Sequence, residues 1–165
     1  TGRSGALGLF RLLERASRAE PRPAEAGLAE ALARLRHLAR PGSLVLLASD
    51  FSDLDEAAEQ NLAALTERHD LAVLFVWDPL EADLPPSGRY VFGDGESLLA
   101  VDTGSPGLRD AFRTDFARRR ERAEVLCRRL HIRFAPLGTQ QPVGEALRDG
   151  LFRLAAAVRG RVRHD

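Results

Sequence analysis

The chain contains no lysine: all 24 of its basic side chains are arginines. Phosphoryl-transfer folds that place a mobile ammonium on phosphate therefore lack their usual cation here. Methionine is missing as well, and the chain opens on "TGRSG" with no visible signal peptide. That opening is the one expected of a piece excised from a longer protein. A single cysteine, Cys127, excludes an internal disulfide and points to a reducing compartment. Long apolar runs are absent too. Runs such as "LVLLA" at 44–48, "LAAAV" at 154–158 and the seven residues of "LAVLFVW" at 71–77 fall far short of the ~20 residues a spanning helix needs. Neither sign of charge is in excess, because 24 acidic residues match the 24 arginines. This removes any global attraction to nucleic acid or to an anionic membrane. Aromatic residues make up only 6% of the chain, too few for the stacking platforms of a single-strand reader.

What is present is an alternation of two periods. Residues 9–19 carry Leu9, Leu12, Leu13 and Ala16 at helical spacing, and "PRPAEAGLAEALARLRHLAR" (21–40) aligns Leu28, Leu32, Leu35 and Leu38 on one face. Pro23 suits its first turn, and "RPG" at 40–42 ends it. Residues 1–40 thus read as a helical N-terminal segment. "SLVLLAS" (43–49) and "LAVLFVW" (71–77) have the unbroken apolarity of parallel strands covered on both faces. An amphipathic helix over 54–68 lies between them. Two short apolar runs around Asp94-Gly95 predict a β-hairpin insertion near 89–102. A long helix over 107–130 turns Leu108, Phe112, Phe116, Ala123, Leu126 and Leu130 inward. "IRFAPL" is a third parallel strand, and "VGEALRDGLFRLAAAVR" (143–159) a closing helix. The whole chain, 1–165, is expected to be one α/β domain with a mostly parallel, Rossmann-like sheet flanked by helices.

In such sheets ligands bind outside the carboxyl ends of the strands. Asp50 and Asp78 each lie just past such an end, which makes them the first candidates for chemistry. The plainer reading of "SDFSDLDE" is helix capping, with Ser52 or Asp53 as the cap of the next helix and the acids serving its dipole. The plainer reading of Asp78-Pro79 is a turn aspartate bonded to its own backbone. Two strand-end aspartates could also hold Mg²⁺ for phosphoryl transfer or hydrolysis, although a hard cation wants more oxygens than this pair supplies. Cys127, between Leu126 and Leu130 on the long helix, reads as a small buried hydrophobe. His37, His69, His131 and His164 lack metal-ligand spacing. His69 and His131 mark element boundaries just before strands. "RRRER" (118–122) reads as a solvated helix face and "RGRVRH" as a frayed tail.

The strings Ser49-Asp50-Phe51, Arg68-His69-Asp70 and Asp78-Pro79-Leu80-Glu81 with Leu84-Pro85 and Gly88, followed by "PLGT" at 136–139, carry a family resemblance. The chain resembles the von Willebrand factor A-like domain of a bacterial family catalogued as domain of unknown function fifty-eight, over about residues 1–160. Genes of that family commonly neighbour those of MoxR-type AAA+ ATPases. The resemblance implies a metal-ion-dependent adhesion site, built from D-x-S-x-S, a threonine and a later aspartate around Mg²⁺. It makes Asp50 the fourth-strand aspartate of such a site, with Ser49 and Ser52 as hydroxyl neighbours. "DFSDL" has Leu54 where the last serine of D-x-S-x-S belongs, so the site is expected to be an incomplete remnant that holds Mg²⁺ weakly or not at all. The sheet is accordingly expected to be truncated, without its first three strands.

These readings converge on a non-catalytic protein-interaction module. The resemblance implies an adaptor for a MoxR-type AAA+ ATPase, cytoplasmic, with any membrane anchor elsewhere in the parent protein and no membrane contact by this segment. Asp78, Glu81 and Leu84 are expected to border the partner surface, because the acid- and proline-rich loop 78–88 shares the sheet end of Asp50. The alternative is a Mg²⁺-dependent phosphoryl-transfer or hydrolase domain using Asp50 and Asp78. Nucleic acid is not expected as a partner. Strand 43–49, with no lysine, proline or bulge to blunt it, is not expected to remain a free edge, and a homodimer through it would cover it.

Overall fold

The computed structural model describes residues 3–18, 27–93 and 97–144. Helix α1 runs Arg3–Arg18 and α2 Leu28–Leu38, followed by strand β1, Leu44–Ser49. Then come α3 Glu56–Thr66, β2 Asp70–Trp77 and the single turn α4 Pro79–Ala82. Strands β3 Arg89–Gly93 and β4 Leu98–Asp102 precede the long α5, Pro106–Arg129, and β5, Arg133–Gly138. Pro23, the Asp94-Gly95 turn, all but the first residues of the expected closing helix, and the arginine-rich tail with His164 lie outside the described residues.

Three parallel strands form the main sheet in the order β1-β2-β5. Residues opposite one another across parallel strands share a face, so Val45, Leu71, Val73 and Phe75 turn one way. On that side lies the core, where Leu28 and Leu32 of α2, Ala58, Leu62 and Leu65 of α3, and Ala123, Leu126 and Cys127 of α5 pack together. The other face of β2 is buried as well, at Ala72 and Leu74, with Ala135 and Leu137 of β5 beside them. The unbroken apolar run of β2 therefore has the expected cause, burial on both sides.

β1 departs from that expectation. Its residues alternate between covered and open, with Leu44 67% and Leu46 53% exposed. The reason is position: β1 is the edge of the described sheet, and the cover over Ala72 and Leu74 does not extend to it. Leu108, expected inward on α5, is exposed because the buried stripe of that helix starts only at Phe116.

β3 and β4 form a separate antiparallel pair, as the two apolar runs imply. A two-stranded ribbon is marginal by itself, and this one is tied down at its base. Thr103, the only buried polar residue of the described core, accepts from the Gly88 N–H (3.1 Å), and its hydroxyl reaches the carbonyls of Pro86 (2.9 Å) and Gly88 (3.1 Å).

Capping overturns one sequence reading. Neither Ser52 nor Asp53 starts α3. Asp55 does, its carboxylate accepting from the Ala58 N–H at 2.7 Å. Asp53 reaches across space to the Leu28 N–H at 2.6 Å and caps α2, whose own N-cap is Gly27. A glycine fits there because a Cβ at 27 would sit 3.0 Å from the Asp53 carboxylate. The sequence distance of 25 residues hides this cap from any local pattern. Asp53→Ala is expected to cost about 1 kcal/mol, the usual worth of a cap. Urea unfolding checks it, and a variant indistinguishable from the parent would show the bond to be idle.

Candidate functional site

Because β1, β2 and β5 are parallel, their carboxyl ends open on one side of the sheet. The loop after β1 is fixed by Phe51, which is 1% exposed and adopts the left-handed conformation (φ 56°). A non-glycine residue there costs about 1–2 kcal/mol, offset here by ring burial, with Phe51 stacked 6.3 Å from Phe75. The Ser49 hydroxyl oxygen accepts from the Phe51 N–H at 3.0 Å. This turn swings Asp50 out past the strand end. One of its oxygens accepts from the Ser52 N–H (3.3 Å) and hydroxyl (3.2 Å).

After β2, Asp78 caps α4 as half of a reciprocal capping box. Its Oδ1 accepts from the Leu80 N–H at 2.9 Å, and Glu81 Oε1 accepts from the Asp78 N–H at 3.1 Å. The Thr139 hydroxyl, just past β5, donates to the other Asp78 oxygen at 2.6 Å. That bond, then the one from Leu80, holds the Asp78 carboxyl below the usual aspartate range. No sequence pattern singles out Thr139, apart from its place in the "PLGT" string.

The group that joins these loops is Arg119 of α5. Its Nη2 lies 2.7 Å from Glu81 Oε2 and its Nη1 3.4 Å from Asp50 Oδ2. The guanidinium also lies over the Phe116 ring, 5.6 Å from its centroid, and Phe116 rests on Trp77 and Phe75. Arg119 is only 22% exposed, and its buried Nε has no hydrogen-bond partner among the described residues. In the sequence it is one letter of "RRRER", whose reading as a solvated face it contradicts. The signal was available: positions 116, 119, 123, 126 and 130 form one stripe at helical spacing, and 119 is its lone charge.

Asp50, Ser49, Ser52, Asp78 and Glu81 thus occupy one end of the sheet. They are not arranged as a cation cage. The Arg119 guanidinium already lies against Asp50 and Glu81, Asp78 turns to Thr139 and Leu80, and Ser49 turns to its own backbone. A cation beside Asp50 would share its carboxylate with the Arg119 guanidinium, and the neighbouring Asp78 and Ser49 oxygens are turned to other partners, an arrangement that disfavours Mg²⁺. Among the described residues no group of three or more His, Cys, Asp or Glu could hold a metal ion.

Loop 83–88 is braced from below by Arg109. Its guanidinium donates to the carbonyls of Leu84 (2.8 Å), Pro85 (2.7 Å) and Thr103 (3.2 Å), and to Asp83 (3.0 Å). Leu84 points inward, 9% exposed, and the apolar side chain this loop offers to solvent is Leu80, 60% exposed. Two other arginines of the run are paired, Arg122 with Glu59 at 2.8 Å and Arg118 with Asp115 at 3.9 Å. Cys127 is buried, which pushes its thiol up to about 12 and leaves it unreactive. No described helix is long and apolar enough to cross a membrane.

The family model described as "Protein of unknown function DUF58" matches residues 1–122. This chain belongs to that family. The match takes in Asp50, Asp78, Glu81 and Arg119, and it ends inside α5, so β5 and Thr139 of this DUF58 chain lie beyond it. No curated protein and no solved structure matches the chain.

Proposed function

We propose that this DUF58 domain is a non-catalytic protein-interaction module, and that the strand-end loops 50–54 and 78–88 form its docking face. The observation that carries this reading is the Arg119 bridge between Asp50 and Glu81. Carboxylates that would have to bind Mg²⁺ or move protons are instead committed to holding two loops in a fixed relation. Arg109 and Thr103 brace the second loop in the same way. A loop ordered beforehand loses little conformational freedom on binding, which favours recognition. Exposed Leu80, beside the acid pair, supplies an apolar contact at the centre of this face.

The finer reading follows the family resemblance. The sheet is von Willebrand factor A-like, β1 is its fourth strand, Asp50 is the remnant of an adhesion site, and a MoxR-type AAA+ ATPase is the partner. A purified MoxR-type ATPase titrated into the domain in a calorimeter tests it. Binding weakened at least tenfold by Leu80→Asp, with unchanged far-ultraviolet circular dichroism, is the expected result. Absence of heat with the parent domain, or equal affinity for the variant, overturns the choice of partner or of face respectively.

A further inference from the structure

The dipeptide Arg-His closes two successive helices. Arg36-His37 lies in the last turn of α2, and Arg68-His69 stands between α3 and β2. The fold brings the two pairs together. Where α2 packs on α3, Asn61 accepts from the Arg36 guanidinium (2.9 Å) and donates to the Ala29 carbonyl (3.1 Å). The Gly42 N–H, in the turn before β1, donates to the Arg68 carbonyl at 2.7 Å. A cavity of about 270 Å³ results, at the end of the sheet opposite the strand-end loops. Arg36, His37, Arg68 and His69 line it against Leu65, and Glu67 is the acid among its lining residues.

A guanidinium offers only donors, and an imidazole offers at least one in any protonation state. Such a set suits an oxyanion and not a metal ion. At the same end of the sheet stand exposed Arg40, which adds positive charge, and exposed Asp70, which with Glu67 opposes it. Three arginines thus face two carboxylates, with both histidines in addition, and none of these five charges has an ion-pair partner among the described residues. Helix carboxyl ends disfavour anions, but the carbonyls here are engaged. Leu35 accepts from the Ala39 N–H (2.9 Å), Leu65 from the N–H groups of Arg68 (3.3 Å) and His69 (3.1 Å), and Ala63 from the Thr66 hydroxyl (2.7 Å). His69 supplies an independent sign. Its Nδ1 is buried and has no hydrogen-bond partner among the described residues. Buried polar atoms are nearly always paired, and an oxyanion in the cavity that His69 lines would give this one a partner.

We propose that this cavity binds the phosphate group of a small soluble monoester, with Arg36 and Arg68 as charged donors and His37 and His69 beside them. A tetrahedral phosphate has acceptors on every side and suits donors that arrive from two helix ends, and arginine is the side chain that matches it best. A planar carboxylate would use fewer of them. The volume lies just below the ~300–1,000 Å³ of pockets for drug-sized ligands, which limits the occupant to a small molecule. Glu67 and Asp70, both exposed, oppose an anionic lipid surface, so a soluble ligand is the source the charges favour. The site stands apart from the docking face at the other end of the sheet and does not depend on it.

Proton NMR of the whole chain tests the proposal, because its four histidines give separate ring signals. Inorganic phosphate, titrated at fixed pH and ionic strength, is expected to shift two of the four saturably, with a Kd of about 1 mM or below. His37→Gln and His69→Gln should each remove one of the shifting signals. O-phosphoserine should shift the same two. Arg68→Gln replaces an exposed side chain and is expected to keep the parent circular dichroism while weakening phosphate at least about fivefold; His37→Gln, also exposed, repeats the test should that variant fold poorly. Glu67→Gln, which removes the lining carboxylate, should tighten binding about twofold or more, and Arg89→Gln, on β3, should leave it unchanged. No co-sedimentation with vesicles of phosphatidylcholine and phosphatidic acid is expected. The proposal is overturned by a titration without saturation up to about 10 mM, by equal shifts at all four histidines, or by unchanged affinity in folded Arg68→Gln. Vesicle binding that Arg68→Gln abolishes would overturn the soluble ligand in favour of a lipid headgroup.

Discussion

Arg119→Ala is expected to lower the stability of the domain by about 2 kcal/mol. The variant strands two carboxylates that now share one guanidinium, and it removes the cation from the Phe116 face. Breaking a fully buried pair costs about 3–5 kcal/mol and an exposed one about 0–1. Partly exposed Arg119 falls between these limits. Arg119→Lys should recover less than half of the loss, because an ammonium is a point donor and cannot span both acids. Adding Asp50→Asn and Glu81→Gln to Arg119→Ala should recover more. Those two changes remove the stranded charges, while the amide oxygen introduced at position 81 can still accept from the Asp78 N–H. Urea unfolding of the series measures all of this. If the triple variant is no more stable than Arg119→Ala, the bridge is not the source of the effect. The same series bears on metal binding. Millimolar Mg²⁺ should leave the parent unfolding curve in place, and a clear stabilisation by Mg²⁺ lost in Asp50→Ala would reverse the reading of the site.

Phe75→Ala is expected to cost more, about 4 kcal/mol, within the usual range for deleting a buried phenyl ring. Phe75 is fully buried at the centre of an aromatic cluster, 6.3 Å from Phe51, 6.1 Å from Phe116 and 5.9 Å from Phe134. Against a total of about 5–15 kcal/mol for a domain, that loss leaves a marginal fold. It should also disturb the site. Phe51 holds its left-handed backbone by packing on Phe75, and that backbone aims Asp50. Phe75→Leu keeps most of the volume and should cost about 1.5 kcal/mol. Thermal unfolding followed by near-ultraviolet circular dichroism tests both variants. A midpoint for Phe75→Ala within a few degrees of the parent would show that the cavity collapses freely.

The alternation of helix and strand was legible because each signal is local. Leu28 and Leu32 at helical spacing, the continuous "LAVLFVW" and the capping acids before α3 express their period within a dozen residues. The shared end of the loops follows from the same information, since parallel strands joined by crossovers make loops 50–55 and 78–88 open at one end. Asp50, Asp78 and Glu81 were placed together on that ground alone.

Their partners were not legible. Asp53 caps a helix 25 residues earlier, Arg119 meets Asp50 across 69 residues, and Thr139 meets Asp78 across 61. Whether a carboxylate is free or engaged depends on which side chain the folded chain brings within hydrogen-bond reach of it, and a linear pattern does not carry that distance. Exposure behaved the same way. "LVLLA" and "LAVLFVW" have equal claims to a buried interior, yet among the described residues β2 has neighbours on both sides and β1 on one. The sequence by itself determined which segments become strands and which strand ends carry acids. Only the tertiary structure decided that an arginine bridges Asp50 and Glu81 and that β1 lies at the edge of the described sheet, because both depend on contacts between segments far apart in the chain.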